Sequence, residues 1–320
     1  MTSGRQSRQP IVLDCDPGHD DALAILLAAA ARSLELVAIT TVAGNQSLDK
    51  TALNARRICT VAGISGVPVA AGCDQPMVRP RIASPEIHGE SGLDGPAFGD
   101  PTVPLDPRHG VDLILDASRT HDGLVLVATG PLTNVATALV RDPGLARRLR
   151  RVVLMGGAIG LGNVTPAAEF NIVSDAEAAR AVFESGVPIT MVPLETTHQA
   201  LATPDVVARI AALDFPLASL CVELLEFFAE TYLRVFGFAA PAVHDPCAVA
   251  WLLDPTIVPS RPMHVDIETA AEFSYGRTVV DVLGVTGRAP NAEVAEGLAT
   301  DRFWDLMIGA VASYRRPPLG

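Results

Sequence analysis

The stretch "IVLDCDPGHDDALAILLAAAA", residues 11–31, joins a short apolar run to an Ala- and Leu-rich segment through a Pro-Gly pair. That order is typical of a strand, a tight turn and a helix. The junction carries four aspartates within eight positions: Asp14, Asp16, Asp20 and Asp21. So dense a cluster requires raised pKa values, open access to water or a bound cation.

The same alternation of an apolar run and a longer Ala-rich segment recurs along the chain. It predicts an α/β fold with an open, mostly parallel sheet flanked by helices. The predicted helices cover residues 20–31, 48–62, 132–141, 175–184 and a longer region, 203–238. Pro- and Gly-rich stretches at 72–110 and 156–168 predict long loops. We interpret residues 1–320 as a single domain with a flexible tail over 1–9.

Composition excludes several classes of protein. The net charge of -12 opposes binding to nucleic acid. No apolar run approaches the roughly 20 residues that span a bilayer, and the polar N-terminus predicts no signal peptide, so we expect no membrane partner. Five cysteines without a CxxC pair argue against disulfides and a thiolate zinc site. We therefore expect a cytoplasmic protein.

Two explanations compete for the aspartate cluster. In the first, Asp20 and Asp21 lie in the first turn of a helix, where carboxylates interact favourably with the helix dipole. That explanation leaves Asp14 and Asp16 unaccounted for. In the second, the cluster holds a hard cation such as calcium or magnesium, which prefers oxygen ligands. The spacing is not that of a helix-loop-helix calcium loop, so further ligands must come from elsewhere in the chain.

Three other segments could supply them. In "AVHDPCAVAWLLDP", residues 242–255, His244 and Asp245 precede a helix, which they could equally cap. In "LVLVATGPLTNVATAL", residues 124–139, Thr129 ends a predicted strand. In "AEFNIVSD", residues 168–175, Glu169 and Asn171 could also be simple loop hydrogen bonders. The C-terminal ends of parallel strands face one edge of a sheet, so we expect these segments to meet.

Taken in order, these motifs make the sequence resemble the nucleoside hydrolases, which cleave inosine, uridine and related ribonucleosides to ribose and free base. The resemblance implies an open α/β fold with Ca²⁺ at the C-terminal edge of the sheet. The motifs that carry it run from residue 11 to about 251: "LDCDPGHDDALAILLA", "ITTVAGNQSL", "IHGESGLDG", "VATGPLTN", "VVLMGG", "AEFNIVSDAEAA" and "VHDPCAVA".

The resemblance also implies separate duties for the site residues. Asp16, Asp21 and Asp245 would hold Ca²⁺ with the backbone carbonyl of Thr129. Asp16 would also deprotonate the attacking water, with inversion at C1′, and Asp14 would lie behind the others in a structural role.

The substrate contacts follow from the same resemblance. His244 would be the acid that protonates the leaving base. Asp20 would bind the ribose hydroxyls. The other predicted substrate contacts are Asn45, His88, Met155, Asn163, Glu169, Phe170 and Asn171. Met155 could instead be a core residue, as could the aromatic residues of 227–238, including Tyr232.

Some questions stay open at the level of sequence. Glu195 replaces an aspartate that is common in the family, which puts any contact made there in doubt. We expect inosine and uridine as substrates, with pyrimidine specificity as the alternative, and a homodimer or homotetramer. Two alternatives of another class are a haloacid-dehalogenase-like phosphatase and a non-catalytic calcium-dependent nucleoside binder. The first also places D-x-D after a strand, but Pro17 and Gly18 do not fit its pattern.

Overall fold

The structure is a computed structural model that describes residues 8–82 and 85–315. Its strands are β1 (Gln9–Cys15), β2 (Leu34–Thr41), β3 (Val69–Ala71), β4 (Leu105–Asp106), β5 (Val125–Ala128), β6 (Arg151–Met155), β7 (Ile189–Val192), β8 (Ser260–Met263), β9 (Val265–Ile267), β10 (Thr278–Val280) and β11 (Ala292–Ala295). Its helices are α1 (His19–Ala30), α2 (Leu48–Val61), α3 (Pro85–His88), α4 (Gly110–Thr120), α5 (Thr133–Arg141), α6 (Leu145–Arg148), α7 (Phe170–Ser174), α8 (Ala176–Glu184), α9 (Leu194–Thr197), α10 (Pro204–Ala211), α11 (Pro216–Phe236), α12 (Pro246–Leu253) and α13 (Thr300–Ser313).

Nine strands form one sheet in the order β4-β3-β2-β1-β5-β6-β7-β11-β8, and β9 pairs with β10 in a separate hairpin. All neighbours in the large sheet are parallel except β11 and β8. The chain winds outward in one direction from β1 and in the other from β5. The strand order therefore reverses between β1 and β5, which is where open α/β sheets bind ligands.

Apolar side chains cover both faces of this sheet. Along β1, Ile11 and Leu13 belong to one buried cluster and Val12 to the other, because successive side chains point to opposite faces. The first cluster packs α1 against α12 and α13, and the second packs α5 against α4 and α8. Helices on both faces explain why the strands are continuously apolar. The predicted fold class is confirmed.

The structure corrects three details of the sequence prediction. The helical region 203–238 is two helices, because Asp214 has a left-handed φ of 52° and Pro216 starts a new helix after it. The long loop 72–110 contains the short elements α3 and β4. Of the predicted tail, residues 1–7 lie outside the described residues, and Gln9 already pairs with Leu34 in the sheet.

The predicted helices that follow β1, β2, β5 and β6 are otherwise found within two residues of their expected bounds. The single-domain assignment stays a prediction. Within the described ranges, no helix combines the length and apolar character needed to cross a membrane.

Candidate active site

A cleft of about 270 Å³ opens at the C-terminal edge of the sheet, above the ends of β1 and β5. The residues of the predicted site that line it are Asp20, Asn45, His88, Thr129, Met155, Asn163, Glu169, Phe170, Asn171, His244 and Asp245. The two remaining predicted residues, Asp16 and Asp21, have no exposed surface and lie at its base. The fold thus brings together segments that are up to 229 residues apart.

The floor of the cleft, Asp16, Asp20, Asp21, Thr129 and Asp245, is a buried acidic cluster. Asp20, Asp21 and Asp245 each place one carboxylate oxygen within 4.8 Å of the other two. Asp21 is held from both sides: its Oδ1 accepts the Thr129 hydroxyl at 2.8 Å and its Oδ2 accepts the backbone N–H of Gly18 at 3.0 Å. The end of β5 and the start of α1 therefore meet through one carboxylate.

Asp16 was expected to join Asp21 and Asp245 as a metal ligand. In the structure it lies beside the group formed by Asp20, Asp21 and Asp245. Its Oδ2 accepts the backbone N–H of Asn45 at 2.7 Å, while its buried Oδ1 has no hydrogen-bond partner among the described residues. Glycines give the carboxylate its space, because a Cβ on Gly44 or Gly130 would lie 2.1 or 2.6 Å from its oxygens. An orphaned buried oxygen costs free energy unless a ligand satisfies it.

Burial raises the pKa of each floor carboxyl. For Asp20 it reaches about 7, first because of lost solvation and then because of the charge of Asp21. The pKa values of Asp16 and Asp245 are raised further, again by burial first and by neighbouring carboxylates second. A bound cation would offset both effects, because it replaces lost hydration and neutralises the repulsion.

Asp14 lies behind the floor and does not line the cleft. Its Oδ1 accepts hydrogen bonds from the Thr40 hydroxyl at 2.5 Å and from Asn134 Nδ2 at 2.7 Å. Burial raises its pKa to about 7. Asp14 therefore ties β1 to β2 and α5, which agrees with the structural role expected from its sequence position.

The segment that begins with Asn163 forms one side of the floor. Asn163 Oδ1 accepts the backbone N–H of Phe170 at 3.0 Å. Glu169 caps α7 by accepting the N–H of Asn171 at 2.8 Å, and burial raises the pKa of Glu169 to about 7. Asn171 Nδ2 donates to the carbonyl of Thr129 at 2.8 Å. The polar groups of this segment thus face the acidic cluster.

His244 lies opposite, between two hydroxyl groups. Its Nε2 is 2.5 Å from the Tyr232 hydroxyl, and its Nδ1 is 2.7 Å from the Thr197 hydroxyl. Its backbone N–H donates to Asp20 Oδ2 at 3.2 Å. Burial lowers the pKa of His244 to about 3, so the ring is uncharged in the free protein. The hydroxyl groups can each donate or accept, so either ring nitrogen can carry the proton.

The sequence matches the family model described as inosine-uridine preferring nucleoside hydrolase over residues 11–305. The chain belongs to this family. It is 44% identical over 308 residues to the pyrimidine-specific ribonucleoside hydrolase RihB of Escherichia coli K12, covering 96% of this chain and 98% of that relative. This nucleoside hydrolase is therefore an enzyme that acts on small-molecule nucleosides, as the resemblance predicted.

Solved structures agree with that assignment. The purine-preferring ribonucleoside hydrolase from Gardnerella vaginalis matches with a TM-score of 0.90 and 30% identity, over 96% of this chain and 99% of that one. A plant nucleoside hydrolase, PpNRh1, matches with a TM-score of 0.86 and 28% identity, over 95% and 99%. Membership of this family excludes the phosphatase alternative, and the relatives, which are nucleoside hydrolases, support an enzyme over a non-catalytic binder.

The hydrolase also has an aromatic wall, by which we mean Phe228, Tyr232 and Phe236 of α11 together with His88 and His244. The α11 residues recur every four positions and so share one helix face. That spacing is visible in the sequence, but it cannot distinguish a face that lines a cleft from one that packs in a core. Sequence reasoning therefore left these aromatic residues open between core and base contact.

Glu195 has a definite role in the structure. Its carboxylate accepts two consecutive backbone N–H groups, from Ile159 at 2.9 Å and from Gly160 at 2.7 Å. The preceding amide, of Ala158, donates to the Thr278 hydroxyl at 2.9 Å. Glu195 therefore anchors the loop that leads to Asn163, although it does not itself line the cleft.

His19, which is not among the residues of the predicted site, is fully buried beside His88. Its ring stacks on those of His88, Phe227 and Phe228 with centroids 5.2–5.4 Å apart. Burial lowers its pKa to about 4 and lowers that of His88 as well. The sequence does not reveal this pair, because the two histidines are 69 residues apart and no local spacing connects them.

Proposed function

We propose that this nucleoside hydrolase cleaves the N-glycosidic bond of pyrimidine ribonucleosides, uridine and cytidine, in a Ca²⁺-dependent reaction. The observation that carries the proposal is the opposition, across one cleft, of a buried acidic floor and the His244–Tyr232 pair. Cleavage of an N-glycosidic bond builds positive charge on the ribosyl ring and negative charge on the base. A site with carboxylates on one side and proton donors on the other stabilises both of these charges.

The identity of the relatives supports the pyrimidine alternative over the inosine and uridine preference expected from sequence. The pyrimidine-specific relative is 44% identical to this chain, whereas the purine-preferring structure is 30% identical. Apolar and aromatic side chains surround the base side of the cleft, so contacts from a few polar groups must decide which base is accepted.

The floor fits a hard divalent cation. Its donors are all oxygens, it is buried, and Asp16 Oδ1 lacks a partner within the described residues. We propose that Asp16, Asp21 and Asp245, with the carbonyl of Thr129, hold Ca²⁺. Bound there, the ion would supply a Lewis acid that makes water more acidic and fixes vicinal ribose hydroxyls.

The protein's own groups then have separate tasks. Asp16 takes the proton of the attacking water, whose oxygen bonds to C1′ as the bond to the base breaks, with inversion. Asp20, Asn163, Glu169 and Asn171 bind the ribose hydroxyls, and the carboxylates of Asp20 and Glu169 favour the developing ring cation. Asn45 lines the cleft and also donates its backbone N–H to Asp16, so it orients the carboxylate that takes the proton of the water.

The leaving base receives its proton from the wall. His244 is buried and uncharged, and both of its ring nitrogens are taken by hydroxyl groups. We therefore propose that Tyr232 passes its hydroxyl proton to the departing base. Neutral His244 keeps its proton and donates a hydrogen bond from Nε2 to the tyrosinate oxygen, until a proton from solvent restores the hydroxyl group. Met155 and Phe170 would contact the ribose and base from the side, and His88 would contact the base.

Two further parts of the proposal concern the setting of the enzyme. All five cysteines are free, which supports a reducing, cytoplasmic location. Assembly as a homodimer or homotetramer stays a prediction.

Incubation with uridine, cytidine, inosine, adenosine and p-nitrophenyl phosphate tests the proposal. We expect uridine and cytidine to give ribose and free base without added phosphate, and to exceed the purine nucleosides in kcat/KM. Chelation should abolish turnover and Ca²⁺ should restore it. Inosine turnover above that of uridine, or full activity after exhaustive chelation, would contradict the base preference or the metal dependence respectively.

A further inference from the structure

His19 and His88 form a short hydrogen-bonded chain that ends at a backbone carbonyl. His19 Nε2 lies 2.8 Å from the carbonyl oxygen of Asp94, and His19 Nδ1 lies 3.1 Å from His88 Nδ1. The chain is buried, with His19 sandwiched between aromatic rings. Its two ends differ: one is the carbonyl group of the partly buried Asp94, and the other is the His88 ring at the cleft.

The carbonyl decides where the protons lie. A carbonyl oxygen can only accept, so His19 Nε2 must carry the hydrogen. An apolar stack disfavours a charged imidazolium, and in a neutral ring the other nitrogen, Nδ1, then holds the lone pair. His88 Nδ1 must therefore donate to His19 Nδ1. In a neutral His88 ring, the lone pair is then left on Nε2.

One weaker contact favours the opposite tautomer. The backbone N–H of His19 points towards His88 Nδ1 at 3.4 Å, which would make that nitrogen an acceptor. This distance is beyond the usual range for an N–H···N hydrogen bond, whereas the contact to the carbonyl is short. Accepting there would also force His19 Nδ1 to carry a hydrogen and leave a lone pair against the Asp94 carbonyl.

The position of the ring leaves His88 Nε2 available. Gly18 packs against the Nδ1 edge so closely that a Cβ there would lie 2.5 Å from Nδ1. In the part of the chain that the structure describes, Nε2 has no hydrogen-bond partner, and it is not among the fully buried polar atoms. His88 lines the cleft and stacks on Phe228 with ring centroids 5.4 Å apart.

We propose that His19 is a positioning residue that fixes the tautomer of His88, so that His88 Nε2 accepts a hydrogen bond from an N–H group of the nucleobase. This inference rests on the proposed pyrimidine preference. The N3–H of uracil and the amino group of cytosine are the available donors. Through His19, the Asp94 carbonyl thus determines that His88 presents an acceptor to the base in the cleft.

The tautomer can be observed without any turnover. Long-range ¹⁵N–¹H correlation spectra distinguish the protonated ring nitrogen of each histidine. We expect hydrogen on His88 Nδ1 and on His19 Nε2 in the wild type, and loss of the fixed His88 tautomer in His19→Phe, which keeps the aromatic stack. His121→Phe, at the exposed end of α4, is the matched control. Hydrogen on His88 Nε2, or a doubly protonated His19, in the wild type overturns the proposal.

Kinetics then locate the donor on the substrate. With uridine, His19→Phe should lower kcat/KM about tenfold, the cost of one hydrogen bond to a buried partner. With 3-methyluridine, which lacks the N3–H, wild type and variant should be equal within about twofold. Sensitivity that persists with 3-methyluridine and disappears with 5′-deoxyuridine assigns the donor to the ribose and overturns the base contact. A wild type that cleaves none of these nucleosides refutes the proposed function, whereas the spectra still test the tautomer.

Discussion

The floor and the aromatic wall of the cleft are both buried, yet burial acts on them in opposite ways. In the floor it raises the pKa of carboxyls such as Asp16 and Asp245, so the charged form needs a cation. In the wall it lowers the pKa of His88 and His244, so the rings are neutral hydrogen-bonding groups. In the proposed function, the floor faces ribose, which all ribonucleosides share, and the wall faces the base, in which they differ.

On this proposal, the floor promotes cleavage of the bond and the wall selects the base. Changes in the floor should affect every substrate alike, because each reaction passes through the same ribosyl cation. Changes in the wall should affect substrates according to their base. The two histidines of the wall differ in turn: His244 lies between two hydroxyls that allow either tautomer, whereas we infer that the Asp94 carbonyl, acting through His19, fixes the tautomer of His88.

The largest effect is expected for Asp16→Ala. The variant loses the proposed base and a proposed metal ligand together, so kcat should fall at least about 10³-fold for every nucleoside. Steady-state assays with uridine and cytidine measure this, and circular dichroism checks the fold. Glu184→Ala removes an exposed carboxylate of α8 and should leave kcat unchanged. Turnover near that of the wild type would exclude Asp16 as the base.

Tyr232→Phe should have an intermediate effect. Removing the hydroxyl breaks the contact with His244 Nε2 and leaves that nitrogen without a partner, which should lower kcat about tenfold for uridine. Phe228→Leu, on the same face of α11, changes the packing without removing a proton donor. If both variants lose kcat equally, the hydroxyl has no part in proton transfer.

The smallest effect is expected for Glu195→Ala, because Glu195 does not line the cleft and acts on it only through the loop that leads to Asn163. Losing the anchor of Ile159 and Gly160 should loosen the loop that leads to Asn163 and raise KM for uridine about fivefold, with kcat little changed. Glu195→Gln keeps one acceptor and should recover part of the affinity. An effect on kcat alone would show that the loop does not act through ribose binding.

Sequence predicted the floor far better than the wall. Asp16, Asp21 and Thr129 follow strands whose ends must meet in a parallel sheet, so local pattern and topology sufficed to place them together. The wall depends on how α11 packs over the sheet, and an aromatic stripe looks the same whether it faces a core or a cleft. The His19–His88 chain depends on an Asp94 carbonyl 75 residues away, which no spacing rule reveals.

The division between floor and wall is tested most directly by comparing Asp21→Asn with His244→Ala on uridine and on p-nitrophenyl riboside, whose leaving group needs no proton. We predict that Asp21→Asn lowers kcat/KM by the same factor, within about threefold, on both substrates. His244→Ala should lose at least about tenfold more on uridine than on the nitrophenyl riboside, because only uridine needs proton delivery to its leaving base. Equal losses for His244→Ala on the two substrates would contradict the proton-donating role of the wall.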